Sequence, residues 1–200
     1  MRGETTHVEK GGPAERVAVW LARTGAVLHG HFHLTSGRHS DTFLQCSQLL
    51  QHPRYAAAVG RAIAERFSGL GITTVVGPAM GGVILAHETA RALRARAIYA
   101  EKEAGEMVFR RGFILSPGEV CLVVEDAVTT GGSVQKVMAA VERAGGRVRG
   151  VGAIVDRSGG RAQFWVDFHA LVTMDVSSWE PAECPLCAAG VPLVFPKSAS

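Results

Sequence analysis

Long hydrophobic runs are missing from this 200-residue chain. No stretch nears the roughly 18 apolar residues that a membrane-spanning helix needs. Residues 1–10 lack the apolar centre of a secretory signal, so a cytoplasmic protein with no membrane partner is expected. Charge of one sign is also scarce. A net +3 spread over the whole length tolerates an anionic small molecule but does not call for nucleic acid. Only four cysteines occur, at 46, 121, 184 and 187. Cys121 lies inside an apolar run and Cys46 closes one, the placement of reduced core residues. Internal repeats, low-complexity blocks, a Ser-His-Asp set and a nucleophilic-cysteine set are all lacking. What remains, at 47% hydrophobic and 20% charged, is the composition of one soluble globular domain with room for a small appendage.

Against that background the chain alternates. Pro13 opens an amphipathic helix with Val17, Trp20 and Leu21 on one face, ending near Gly25. Three short strand segments are expected within 26–46, then a helix from Pro53 to Phe67. A strand over 72–77, a glycine turn, a helix over 83–94 and a strand over 96–100 follow. A charged hairpin covers about 101–113. After it come a strand over 120–124, a helix over 134–144, strands over 147–155 and 169–174, and a tail rich in Pro and Cys. Strands alternating with helices predict an α/β fold: a parallel sheet of about five strands, helices on both faces. Residues 1–50 are expected to form an N-terminal helix and short strands, 51–175 the core, and 176–200 a tail.

The most informative stretch runs from Val120 to Val134. An apolar strand reaches Glu125 and Asp126, then a turn built from Ala127, Val128, Thr129, Thr130, Gly131, Gly132 and Ser133 leads into a helix. Such a turn points backbone N–H groups at an anion, and the helix N-terminus adds about half a positive charge. Two acids beside a phosphate cradle would repel the ligand unless they serve another part of it. A ribose diol donates hydrogen bonds to carboxylates and fits that need. The stretch has neither the Gly-Lys-Ser/Thr end of a Walker loop nor a Gly-x-Gly-x-x-Gly fingerprint. It resembles the phosphoribosyl-pyrophosphate (PRPP) loop of the type I phosphoribosyltransferases.

Further segments narrow the resemblance. Val75 to Gly82 forms a second strand–glycine-turn–helix corner, which the resemblance assigns to pyrophosphate through main-chain donors of Ala79, Met80, Gly81 and Gly82. A strained or cis peptide near Ala79–Met80 would suit a ligand clamp. Residues 32–40, Phe-His-Leu-Thr-Ser-Gly-Arg-His-Ser, resemble the hood segment of orotate phosphoribosyltransferases, with Thr35 where many members carry a PRPP-reaching lysine. The resemblance implies a small hood over the sheet, with strands from residues 1–50 and the tail 176–200 completing it. Phe43 and Leu44 then fall against the base. Asp156-Arg157 matches an Asp-Arg pair after a core strand, and Arg157 could hold the orotate carboxylate in bidentate fashion. Lys102 keeps the lysine of a mobile basic loop that closes over PRPP. Glu101, Gly105 and Met107 depart from that loop's usual basic residues, and Arg110 and Arg111 are candidates to replace the charge.

The resemblance implies transfer of the 5-phosphoribosyl group from PRPP to orotate, giving orotidine 5′-monophosphate and pyrophosphate in UMP synthesis. It implies catalysis by Lys102 and Asp126, PRPP binding by 79–82, Lys102 and 125–133, and orotate binding by Phe43, Leu44, Thr129 and Arg157. Mg²⁺ would ride on the substrate with no direct protein ligand, and the active form would be a homodimer. A purine-type phosphoribosyltransferase and a PRPP-sensing, nucleic-acid-binding regulator are the alternatives. Cys184-Pro-Leu-Cys187 fits a structural turn or weak disulfide, a shared metal, or redox chemistry; only two of the four ligands of a structural zinc are visible locally. His29, His31 and His33 alternate along one strand, a geometry open to metal, though an exposed strand face is the simpler expectation.

Overall fold

The apolar stripe Val17–Leu21 buries one side of the first helix, α1 (Pro13–Arg23), and Thr24 closes it by bonding its hydroxyl to the Trp20 carbonyl. The computed structural model describes residues 12–34 and 36–196. It continues with β1 (Val27–His33), β2 (His39–Leu44), α2 (Ser47–Leu50), α3 (Pro53–Arg66), β3 (Thr74–Pro78), α4 (Gly81–Leu93), β4 (Arg96–Glu103) and β5 (Glu106–Val108). There follow β6 (Val120–Val128), α5 (Gly132–Arg143), β7 (Arg147–Asp156), β8 (Phe168–Thr173), β9 (Ser178–Trp179) and α6 (Pro185–Ala188).

The main sheet has the order β5-β4-β3-β6-β7-β8. All its strands run parallel except β5, which returns antiparallel along β4. The central strands are apolar on successive residues because both faces are covered. Val75, Leu122, Val124 and Ile154 pack with Val59, Ile63, Phe67 and Leu85 on one side. Val76, Val123, Val151 and Ala153 pack with Val134, Val137, Met138 and Val141 on the other. Each such fully buried aliphatic side chain contributes about 1.5–3 kcal/mol. The chain turns from building the sheet toward β4 to building it toward β8 between β3 and β6. Ligands of open α/β sheets bind at such a switch, beyond the carboxyl ends of the strands.

A second, smaller sheet stands over that edge, in the order β1-β2-β9. It joins distant parts of the chain: β2 pairs antiparallel with β9, and Phe32 bridges to Val194.

Three expectations are revised. Residues 26–46 form two strands, not three, and β1 carries an irregularity between His29 and Phe32. That slip breaks the period-two pattern, so His29 is exposed while His31 is buried, and no common exposed histidine face exists. β6 does not end at Val124. It runs on through the acids, with Glu125 opposite Ala153 and Val128 opposite Asp156. The loss of apolar character there marks arrival at the ligand-facing edge rather than the end of the ladder. Finally, residues 184–187 are not a bare turn, because Cys184 caps the short helix α6.

Candidate active site

Strand β6 delivers Glu125 and Asp126 to the sheet edge. Glu125 is buried, and burial followed by the negative charge of Asp126 pushes its carboxyl up to about 8. Burial likewise raises Asp126, whose Oδ1 accepts from the Ala127 N–H at 2.8 Å. Without a ligand the acid pair therefore tends to keep a proton. Beyond Val128 the backbone turns through the exposed Thr129 and Thr130 to Gly131, the cap of α5 at φ +82°. The first intrahelical bond there, from Gln135 N–H to Gly131 carbonyl, leaves the N–H groups of Ser133 and Val134 facing outward from the helix start.

The β3–α4 corner lies against this cradle. A Cβ on Gly81 would come within 2.9 Å of the Asp126 Oδ2, so the two loops approach as closely as glycine permits. The Ala79–Met80 peptide is cis. Ala79 was expected to offer its N–H to a ligand, but that group already donates to the Ala100 carbonyl at 2.8 Å. The open donors are the N–H groups of Met80, Gly81 and Gly82 at the start of α4.

Between cradle and hood lies a cleft of about 780 Å³, whose walls include Phe43, Thr129, Thr130, Arg157, Arg38 and Ser178. Arg157 follows β7, anchored by its N–H to the Val128 carbonyl at 2.8 Å. Its Nε is buried with no hydrogen-bond partner among the described residues, and burial lowers the guanidinium's pKa. Asp156 does not neutralise it, since that carboxylate accepts from the Ser158 N–H at 2.7 Å. An unpaired guanidinium in a cleft has the charge and the fork geometry that suit a carboxylate.

A family model for the phosphoribosyl transferase domain matches residues 45–182. The orotate phosphoribosyltransferase of Pelotomaculum thermopropionicum is 53% identical over 184 residues, which is 92% of this chain and 97% of the relative. That of Thermotoga maritima is 48% identical over 178 residues, 89% of this chain and 95% of the relative. The chain belongs to the orotate phosphoribosyltransferase family. Among solved structures, the Mycobacterium tuberculosis orotate phosphoribosyltransferase superposes with a TM-score of 0.69 at 26% identity, covering 82% of this chain and 97% of that one.

In this member of the orotate phosphoribosyltransferase family, the segment after β4 is a two-residue turn. Lys102 stands exposed on β4 opposite Met107, and only Ala104 and Gly105 separate β4 from β5. Both have positive φ, +48° and +88°, the signature of a type I′ hairpin turn. The charged hairpin expected here is thus present, with a two-residue turn. Arg110 pairs with Glu103, and Arg111 Nε reaches Glu101 at 2.6 Å, so both candidate substitutes for the missing basic residues are engaged by the hairpin's own acids. Lys102 has no ion-pair partner among the described residues.

Phe43 and Leu44 are neighbours on β2 and point to opposite faces. Phe43 lines the cleft, while the Leu44 side chain packs on the first core cluster, away from a base. Thr35 lies outside the described residues. Arg38 belongs to the hood segment 32–40. It lines the cleft, and Ser178 holds it through Oγ at 3.2 Å and the carbonyl at 2.7 Å, with Glu180 as ion partner. These partners are 140 residues or more away in sequence, so no local pattern announces them.

Proposed function

We propose that the protein transfers the 5-phosphoribosyl group of PRPP to orotate, releasing orotidine 5′-monophosphate and pyrophosphate. Glu125 and Asp126 take the ribose hydroxyls, and the turn 127–133 takes the 5′-phosphate. Met80, Gly81 and Gly82 hold pyrophosphate with Lys102, and Arg157 with Phe43 and Thr129 hold orotate. The observation that carries this reading is the unpaired Arg157 guanidinium facing the cleft beside the cradle. It gives orotate's carboxylate a partner that a neutral purine would leave unsatisfied. Catalysis then rests on positioning and charge: the anomeric carbon gains cation character while donors at both loops stabilise the departing pyrophosphate.

Asp126 lies so close to the β3–α4 loop that a Cβ on Gly81 would fall within 2.9 Å of its Oδ2, and a hard carboxylate oxygen placed there suits Mg²⁺. Carried on the substrate's pyrophosphate and ribose hydroxyls, that ion would neutralise the leaving group, with Glu125 and Asp126 holding the same hydroxyls. No described helix is long and apolar enough to cross a membrane, and the reading includes a cytoplasmic homodimer. The test is to mix protein, PRPP, Mg²⁺ and orotate and follow orotate absorbance, with xanthine, hypoxanthine, adenine and uracil in parallel. Loss of the orotate signal that needs both PRPP and Mg²⁺ is expected. Turnover of a purine alone would overturn the Arg157 assignment. PRPP binding without turnover of any base would indicate a sensor instead of an enzyme.

A further inference from the structure

Away from the cleft, four side chains from three separated segments meet at one point: His31 on β1, His39 on β2, and Cys184 and Cys187 at the start of α6. One ligand atom from each lies within 4.8 Å of all the others. His31 Nε2 is 3.0 Å from His39 Nδ1, 3.4 Å from Cys184 Sγ and 3.7 Å from Cys187 Sγ. Cys187 Sγ is 3.2 Å from His39 Nδ1. A tetrahedral zinc ion, with metal–nitrogen bonds of about 2.0–2.1 Å and metal–sulfur bonds of about 2.3 Å, would set its nitrogens about 3.3 Å apart and each nitrogen about 3.6 Å from sulfur. These four spacings lie within about 0.4 Å of those figures, and the whole set stays within 4.8 Å.

Two further features point the same way. His31 Nδ1 lies 2.8 Å from the Val191 carbonyl. Donating there fixes the tautomer and leaves the Nε2 lone pair aimed at the cluster, which is how a ligating histidine is oriented by its surroundings. Three of the four residues are also buried, His31 at 2%, His39 at 5% and Cys184 at 3% exposure, and both cysteines are free thiols. Buried imidazoles and thiols converging on each other, with no carboxylate among them, form a closed Cys₂His₂ set of the soft and borderline type zinc prefers.

We propose that this cluster is a structural Zn²⁺ site that clasps the C-terminal segment to the hood. Binding would displace the two thiol protons, so that two thiolates and two neutral imidazoles around Zn²⁺ give an electrically neutral, fully ligated centre. There is no open coordination position, and the site takes no direct part in group transfer. Its role is positional. The clasped segment carries Ser178, Phe195 and Pro196 to the cleft wall, and His33, two residues from His31, stacks on Phe195 at 4.8 Å.

The test uses the full-length, untagged protein purified without chelator. Elemental analysis should find close to one zinc per chain. Refolding or exchange with Co²⁺ should give intense visible bands of tetrahedral cobalt together with thiolate-to-cobalt charge transfer. Cys187→Ser removes the most exposed ligand and should abolish that charge-transfer pattern or shift it to a single-thiolate form. A strong chelator should lower the melting temperature, with recovery on Zn²⁺ but not on Mg²⁺. A wild-type protein that binds PRPP yet carries no zinc and shows no thiolate–cobalt band would overturn the proposal. So would a Cys184–Cys187 disulfide in protein isolated without oxidant, or full zinc occupancy with an unchanged cobalt spectrum in Cys187→Ser.

Discussion

Arg157 reaches the cleft with its Nε buried and unpartnered among the described residues, a state that favours an incoming anion. A charge-assisted bidentate bond to orotate is worth about 1.5–3 kcal/mol, or roughly 10- to 150-fold in affinity. Arg157→Ala should therefore raise the orotate KM by about that factor while moving the PRPP KM little; equal effects on both would remove orotate from this residue. Glu125 leads to a second prediction. In the unfolded chain its carboxyl loses a proton near 4.5, and in the folded chain near 8, because burial and Asp126 disfavour the anion. Across that window the folded state binds more protons, so stability falls as pH rises. Thermal melts of the ligand-free protein should show a melting temperature that declines from about pH 5 to 8. Glu125→Gln should flatten the decline, and an unchanged slope would exclude Glu125 as its source. At this scale much was legible in the sequence, because Glu125, Asp126 and the glycine turn are contiguous. The Ala79 N–H was misassigned because its partner, Ala100, sits on a neighbouring strand.

Among the elements, the β4–β5 hairpin was expected from its charged residues, while the mobile loop was what the family resemblance implied. The positive φ at Ala104 and Gly105, which tightens the turn, was not visible from composition. Ala104 sits at φ +48°, where a Cβ costs about 1–2 kcal/mol and Asn is better tolerated than Ala. Ala104→Asn should thus raise the melting temperature by roughly 1–4 °C for a chain of this size; a fall would refute the turn assignment. Lys102, on the exposed face of that hairpin, is proposed to meet the departing pyrophosphate. Lys102→Ala should lower kcat by about 10²–10³, with circular dichroism unchanged, and an effect under twofold would move the leaving-group role elsewhere. The boundary of β6 shows why element ends are harder to read than element types. Glu125 to Val128 look like loop by hydropathy but keep their ladder because β7 pairs with them to Asp156.

The whole molecule divides into a sheet buried on two faces and a hood whose short strands carry few of the core side chains. Amide exchange should follow that division. Amides of β3, β6 and β7 should exchange only on global unfolding, and those of β1, β2 and β9 by a smaller opening at lower free energy. Uniform protection across both would mean that hood and sheet open as one unit. The alternation of strands and helices made the sheet predictable. The hood was expected only through the family resemblance, because no local pattern announces contacts across more than 130 residues, such as Ser40 to Ser177 and Arg38 to Ser178.

That long-range closure orders events during synthesis. The cradle is complete once α5 and β7 have left the ribosome, but part of the cleft wall, beside His33, Arg38 and Phe43, is supplied by residues from Asp175 to Pro196. A nascent chain can therefore assemble its glycine-rich cradle well before its cleft is fully walled. Enclosure is the last property the polypeptide acquires, and it is completed by the C-terminal segment rather than by its most recognisable motif.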